Sequence, residues 1–339
     1  MQLFGKNLSK EVAVVAEIGV NHEGDVEVAS SLLELAAGAG VDAVKFQTYT
    51  PEKFISTSTP ERFERVKRFA LDENAFLRLS EEAEKLRVAM FSTAVTEDSV
   101  ALVNKIGQAI KIASGDLTFE PVIRAAAQTG KPIIVSTGLG IESEIDQAVS
   151  WVREEIGSNS LSECLVLMHC VSAYPTPLDQ TNVRSVPYLA TRYGVPTGYS
   201  NHAIEVEACL AAVALGACVL EVHITDCKSE RMFHDHGLSF EIDELAKLVD
   251  MVPRIRASLG EFRKERQVSE LPLLDVARKG LVAAHDLQPG TILKQDHVMF
   301  ARPATEFPAS ALPKIIGSRL KIGLRRGEII PKHAVEAVD

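Results

Sequence analysis

Short apolar runs rich in β-branched residues recur along the chain, each followed by a stretch with apolar positions at helical spacing. Eight such runs stand out: VAVVAEIG (12–19), AVKFQT (43–48), AMFSTA (89–94), AIKIAS (109–114), PIIVSTG (132–138), LVLMHCVS (165–172), VPTGYS (195–200) and VLEVHIT (219–225). Continuous rather than alternating hydrophobicity predicts parallel strands buried on both faces. Helices are predicted between them, among them VASSLLELAAGAG, ENAFLRLSEEAEKL, FEPVIRAAAQTG, EIDQAVSWVREEI and IEVEACLAAVALGA. Several of these end at glycine, a common helix stop.

Eight β/α units in roughly 225 residues fit a closed (β/α)8 TIM barrel. A doubly wound open sheet would use the same local pattern. The polar residues favour the barrel, because nearly every run begins apolar and ends polar: Glu17, Lys45 with Gln47, Ser92 with Thr93, Lys111 with Ser114, Ser136, His169 with Ser172, Ser200, and Glu221 with His223. A barrel gathers all eight carboxyl ends at one mouth. Beyond the eighth run the catalytic domain is expected to close with a helix and end near 262. A charged, Pro-containing linker is expected over 263–276, and a small, mostly β domain over 277–339.

Among the 339 residues, 46% are hydrophobic, enough for a large core. The net charge of −10, with acids and bases interspersed, argues against a nucleic-acid partner. An anionic ligand must therefore meet a few local cations. Five cysteines (Cys164, Cys170, Cys209, Cys218, Cys227) without a CxxC pair predict a reduced, cytoplasmic protein. Lys6 and Lys10 precede an apolar stretch, but Glu17 interrupts it, and neither export nor a membrane span is expected.

Two histidines, His202 just past the seventh run and His223 near the end of the eighth, fall on adjacent strand ends in the barrel reading. Neutral imidazoles placed there can hold a divalent metal and leave positions open for substrate oxygens. A lone histidine is more often structural; the pairing favours metal. Glu221 shares a strand face with His223, as a third ligand or an outer orienter. Lys45 and Lys111 end apolar runs, which is costly unless each meets an anion. With the hydroxyls of Thr93, Ser114 and Ser136 they describe a pocket for phosphate plus carboxylate. A lysine at a strand end also admits a Schiff-base aldolase, which leaves the histidines unexplained.

The segments AEIGVNHEG, AVKFQT, KIASGDLT, PIIVSTG, MHCVSAYPTP, GYSNH, ALGACVLEVHIT and RKGLVAAHDLQPGTIL resemble, in order, the motifs of the sialic acid synthase family, which includes legionaminate and pseudaminate synthases and spore-coat polysaccharide relatives. The resemblance implies a barrel followed by an antifreeze-like (SAF) domain, in a domain-swapped homodimer. It implies manganese or magnesium on His202 and His223. It implies phosphoenolpyruvate (PEP) on Lys45, Thr93, Lys111, Ser114, Ser136, Ser172, Tyr174 and Ser200, and Glu17, Gln47, Asp116 and Asp235 facing an N-acetylated amino sugar. Arg302 beside Pro303 would be delivered to the sugar side of a partner's barrel. Departures lie at STAVTED in place of STPFD, at Phe233, His234 and Asp235 in place of a GPD segment, and at RPATEFPAS in place of RPGxGI. The last two bear on the acceptor more than on PEP.

The expected reaction joins PEP to the sugar aldehyde and releases phosphate, with Glu17 and Asp235 as candidates for proton transfer. Two alternatives stand beside it. One is an octulosonate-type synthase using another aldose or a sugar phosphate, which would want a further cationic site. The other is a non-catalytic sugar-binding or ice-binding protein, which leaves Lys45, Lys111, His202 and His223 without a purpose.

Overall fold

The computed structural model describes residues 1–157, 160–231 and 234–338, with the side chain of His234 left aside. The chain divides into two compact units, Met1–Gly260 and Glu261–Asp339.

The first unit opens with a two-stranded antiparallel hairpin, β1 (Gln2–Leu3) and β2 (Lys6–Asn7). Eight parallel strands follow: β3 (Ala13–Gly19), β4 (Ala43–Thr48), β5 (Ala89–Ala94), β6 (Ile110–Ile112), β7 (Ile133–Ser136), β8 (Leu165–His169), β9 (Thr197–Asn201) and β10 (Val219–Thr225). Neighbours pair in chain order, and β10 pairs with both β9 and β3, so the sheet closes into a barrel. A short β11 (Phe240–Glu241) adds to the end of β10. The closed ring removes the open-sheet alternative.

The helices form where caps and apolar stripes coincide. Asp25 caps the helix Val26–Gly38 by accepting the amides of Glu27 and Val28, and Ala29, Leu32, Leu33 and Ala36 bury the stripe at i, i+3, i+4, i+7. Asp72 does the same for Glu73–Leu86, whose Phe76, Leu79 and Ala83 turn inward. These stripes pack on the outward faces of the strands.

The barrel interior is divided. Leu3, Phe4 and Leu8 of the amino-terminal segment pack with Ala13, Val15, Ala43, Phe91, Ile134 and Val166, which come from the starts and middles of the strands. Phe4 and Gly5 make the hairpin turn with left-handed backbone, φ 50° and 77°. That plug fills one end with hydrocarbon. The polar residues are left at the other end, where the strands terminate.

The second unit is small and mostly β. Strands β12 (Gly280–Ala283) and β13 (Val298–Ala301) pair antiparallel, as do β14 (Arg319–Leu320) and β15 (Val335–Glu336). Leu281, Leu287, Leu293, Leu320 and Ile330 form its core. Residues 263–276, read from the sequence as a linker, include a 3-10 segment over Val268–Leu273 and the start of a helix, Leu274–Ala277, and group with this unit. Among the described residues no helix is long and apolar enough to cross a membrane.

His22, in the loop after β3, is buried and accepts the Gly24 amide through Nδ1 at 3.0 Å. Burial pulls its pKa from 6.5 down to about 4, so the folded ring stays neutral. The unfolded chain takes up that proton first as pH falls. Stability present above pH 6.5 is therefore lost progressively down to about pH 4. In urea titrations, wild type should lose roughly 1–3 kcal/mol more over this window than a His22→Gln variant. Equal losses in the two proteins would remove His22 from the acid response.

Candidate active site

Strand register assembles the barrel mouth. Pairing sets Glu17 beside Lys45 across β3 and β4, and Gln47 beside Thr93 and Thr93 beside Lys111 across β4, β5 and β6. On the other side, Ser200 pairs with Glu221 and Glu17 with His223, which closes the ring. The loops after the strands bring in Ser114 and Asp116 after β6, Ser172 and Tyr174 after β8, His202 after β9 and Asp235 after β10. All of these residues, together with Ser136, line one cavity of about 1010 Å³. Arg302 lies in the second unit, exposed just after β13. Phe233 lies outside the described residues.

Four buried ionisable groups form the floor. The Lys45 ammonium lies 3.2 Å from both Glu17 Oε2 and Glu221 Oε1, and 3.4 Å from Thr93 Oγ1. Glu17 Oε2 makes a charge contact there without hydrogen-bond alignment, while Glu17 Oε1 accepts from Gln47 at 3.2 Å. Lys111 donates to Ser136 Oγ at 2.6 Å and stands 4.0 Å from Glu221. Ser200 donates to the same Glu221 oxygen at 2.9 Å.

This arrangement separates the two carboxylates. Burial raises the pKa of Glu17, and the nearby charge of Glu221 adds to the rise; Lys45 offsets only part of it. Burial acts on Glu221 in the same sense, but Lys111 and Lys45 together outweigh it and hold that carboxylate ionised. Desolvation opposes the charge on Lys45, yet its two carboxylate neighbours keep its pKa above the ordinary lysine value. Lys111 has less compensation, and burial lowers its pKa. Asp116 is pushed up to about 6 by burial. A site whose carboxylates are driven apart can hold a proton on one and a fixed negative charge on the other.

Beside the lysines, Gly138 turns the chain after β7. Its amide donates to Ser114 Oγ at 3.1 Å, and Cys170 Sγ is 3.0 Å from the same oxygen. A Cβ on Gly138 would come within 2.5 Å of Ser172 Oγ, 2.7 Å of Ser114 Oγ and 2.9 Å of Cys170 Sγ. A side chain there would have to push these atoms aside, and the glycine leaves the Ser114 and Ser172 hydroxyls lining the cavity that holds the ammonium groups, which suits an oxyanion. Cys170 is not flagged by the sequence reading, since a cysteine in an apolar run looks ordinary.

The histidine pair lies on the opposite side of Glu221. The rings of His202 and His223 are 5.5 Å apart, and Tyr174 stacks at 4.2 Å from His202. His202 Nδ1 donates to the Val171 carbonyl at 2.6 Å, which leaves Nε2 with its lone pair. Burial lowers its pKa to about 4. Burial and the neighbouring His202 lower that of His223 further, and His223 Nδ1 is buried without a hydrogen-bond partner. Two neutral imidazoles with available lone pairs fit a divalent ion. Among the described residues no group of three or more His, Cys, Asp or Glu side chains could hold a metal.

The sequence reading missed part of the cavity lining: Lys53, Arg62, Arg65, Val66 and Phe69, from the helices Pro51–Phe54 and Pro60–Phe69.

A family model described as the NeuB family matches residues 32–264, and one for the SAF domain matches residues 278–336. An N,N'-diacetyllegionaminic acid synthase of Legionella pneumophila is 33% identical over 96% of this chain and 94% of its own length. An uncharacterised Methanocaldococcus jannaschii protein is 36% identical over 94% of this chain and 92% of its own. The crystal structure of an N-acetylneuraminic acid synthetase from Leptospira borgpetersenii, solved with citrate, superposes with TM-score 0.73 at 35% identity, over 77% of this chain and 90% of that one. The barrel, the SAF unit and these relatives agree: the chain belongs to the NeuB family of sialic acid-type synthases.

Proposed function

We propose that the protein is a cytoplasmic enzyme that condenses PEP with the open-chain aldehyde of an N-acetylated amino sugar, giving a nonulosonic acid and phosphate. One observation carries this reading. Two buried lysines, an oxyanion cradle and a pair of neutral histidines share a single barrel mouth with two carboxylates of opposite protonation tendency. The NeuB-family relatives that carry synthase names support it.

In this reading Lys45 and Lys111 bind the PEP anion, and the hydroxyls of Thr93, Ser114, Ser136, Ser172 and Ser200 orient it. Tyr174 shields the histidines. PEP C3 bonds to the aldehyde carbon, and the aldehyde oxygen becomes a hydroxyl on receiving one proton. Water adds at PEP C2, and phosphate leaves as C2 becomes a ketone. Glu17, whose pKa burial raises, is suited to give the first proton, and Asp235 is the candidate to take one from water. Gln47 holds Glu17 in place, and Asp116 faces the acceptor. Manganese or magnesium would be held by His202 and His223, with Glu221 orienting from behind. Such an ion, when bound, supplies Lewis-acid polarisation of the aldehyde oxygen. Positioning of two substrates in one dry mouth supplies the rest.

We further assign the active form as a homodimer in which Arg302 completes a partner's site. An exposed apolar series, Phe262, Val268, Leu271, Leu273 and Val276, supports a second subunit. A second mechanism is favoured by one observation only: burial lowers the pKa of Lys111, which would suit a Schiff-base nucleophile.

Four outcomes are expected. Incubation with PEP and amino sugars should release phosphate together with a nonulosonic acid detected by mass spectrometry, and borohydride should trap no adduct on Lys111 or Lys45. A trapped adduct would favour the Schiff-base mechanism. His223→Ala should stay folded by circular dichroism yet lose manganese binding in calorimetry and lose turnover; retained metal affinity would reject the ligand assignment. Lys111→Ala and Gly138→Ala should each raise KM for PEP at least tenfold, about 1.4 kcal/mol, while that for the sugar moves little. Equal effects on both substrates would place the cradle elsewhere. Mixed dimers of Arg302→Ala and Lys111→Ala proteins should regain activity that neither parent has, and continued inactivity after demonstrated subunit exchange would rule out sharing.

A further inference from the structure

Of the two groups assigned to proton transfer, strand register places only one. Glu17 belongs to β3, whereas Asp235 lies in the five-residue helix His234–Leu238, beyond the end of β10. A carboxylate that acts on water must be held within hydrogen-bond reach of it, and a displacement of about 1 Å costs on the order of a hundredfold in rate. Contacts outside the barrel ladder must therefore hold this segment.

The loop carrying NHEG provides them. The chain turns at the last residue of β3, Gly19 (φ 57°), and brings the side chain of Asn21, 1% exposed, to the end of β10. Asn21 Nδ2 donates to the Ile224 carbonyl at 2.8 Å and to Ser239 Oγ at 3.0 Å. Ser239 is fully buried, and its hydroxyl donates to the Asp235 carbonyl at 2.6 Å. A carbonyl can only accept, so the Ile224 contact fixes which way the amide points. Ser239 then accepts from Asn21, and its single proton is left for Asp235. Asn21 Oδ1 has no hydrogen-bond partner among the described residues. A buried acceptor left unmatched costs stability, so this amide sits where its donors are needed and not where its own bonding is complete.

The residues on either side of this relay are tied to the same strand end. The buried His236 ring places Nδ1 2.7 Å from Thr225 Oγ1 and Nε2 3.4 Å from Glu23 Oε1. Phe240 and Glu241 pair with Ile224 and Thr225. These two directly follow His223, so the strand end that carries one candidate metal ligand also anchors the Asp235 segment. Neither Asn21 nor Ser239 lines the cavity, and an effect of either on turnover has to pass through a residue that does. We propose that Asn21 and Ser239 are positioning residues for the reaction: through the Asp235 carbonyl they fix where that residue's carboxylate enters the mouth. One loop then sets both proton carriers, Glu17 at its root and Asp235 at the end of the relay. This rests on the assignment of Asp235 to proton transfer.

A double-mutant cycle tests it. Turnover is read as phosphate released together with nonulosonic product, and working sites are counted by calorimetric titration with PEP. Ser239→Ala should lower kcat roughly tenfold or more and leave KM for PEP unchanged. In an Asp235→Asn background, itself roughly a hundredfold slow, the same substitution should cost nothing further, because the group it positions is gone. Equal fold-losses in both backgrounds, the result expected of a merely structural serine, would overturn the proposal, as would a loss that falls on KM for PEP. Asn21→Asp keeps the shape but has at most one donor, and it should behave as Ser239→Ala does; full kcat in that variant would remove Asn21 from the relay. If Ser239→Ala does not fold, Ser239→Cys takes its place in the cycle, since a thiol fills the space and donates weakly. Full turnover by Asp235→Asn would reject the assignment of Asp235 and the positioning role with it. Absence of product from wild type would instead reject the condensation reading. Amide exchange then still reads the relay: Ser239→Ala should speed exchange over residues 235–239, and unchanged exchange there would reject the relay by itself.

Discussion

Burial of four ionisable groups at the carboxyl ends of the strands is the constraint on which this mouth depends. An ammonium removed from water loses several kcal/mol of solvation and remains charged only beside an anion. Glu221 provides that anion for both lysines at once, 3.2 Å from Lys45 and 4.0 Å from Lys111. Because one carboxylate serves two ammonium groups, Lys111 is left less compensated than Lys45, whose pKa its neighbours hold above the ordinary lysine value. The residual positive field is available to a ligand, and the second carboxylate, Glu17, is relieved of the need to be ionised. Removing Glu221 would disturb both lysines, Ser200 and the protonation of Glu17 together.

The charges can be buried there because the opposite end of the barrel is sealed. Leu3, Phe4 and Leu8 fill the space between the strand starts, with the Phe4 ring 4.8 Å from that of Phe91. The polar layer and the apolar layer are thus successive levels of the same strands, and the register that packs Val15 against Ala43 below also sets Glu17 against Lys45 above. A slip of one residue on β3 would point Glu17 out of the barrel and an apolar residue into the mouth. Stability of the lower layer and geometry of the site are enforced by one hydrogen-bond ladder.

That coupling explains what could be read from the chain before its fold was seen. Runs that begin apolar and end polar mark the transition between the two layers, so the strands and the residues at their ends, from Glu17 to His223, were legible. The hairpin at the amino terminus was not, since strands of two residues show no periodicity. The helix Pro60–Phe69 escaped for another reason. PERFERVKRF carries charge on most of its faces and buries only Phe69, so its pattern matches a solvated segment. His22 and Cys170 look ordinary in sequence, and their surroundings are set by contacts distant along the chain.

The same division separates what is fixed in the mouth from what can vary. Lys45, Thr93, Lys111, Ser136, Ser200 and Glu221 lie on strands, and moving any of them would require a change of barrel register. Asp116, Tyr174, Asp235, Arg62 and Arg65 lie on loops or on a helix outside the ring, whose sequence can change while the barrel keeps its packing. The departures from the family pattern at His234 and after Arg302 lie outside the barrel strands. On the reading proposed above, a chain that preserves its strand-end residues while changing its loops keeps the residues assigned to the small anion, and the specificity of the reaction is to be sought in the segments that interrupt the barrel pattern.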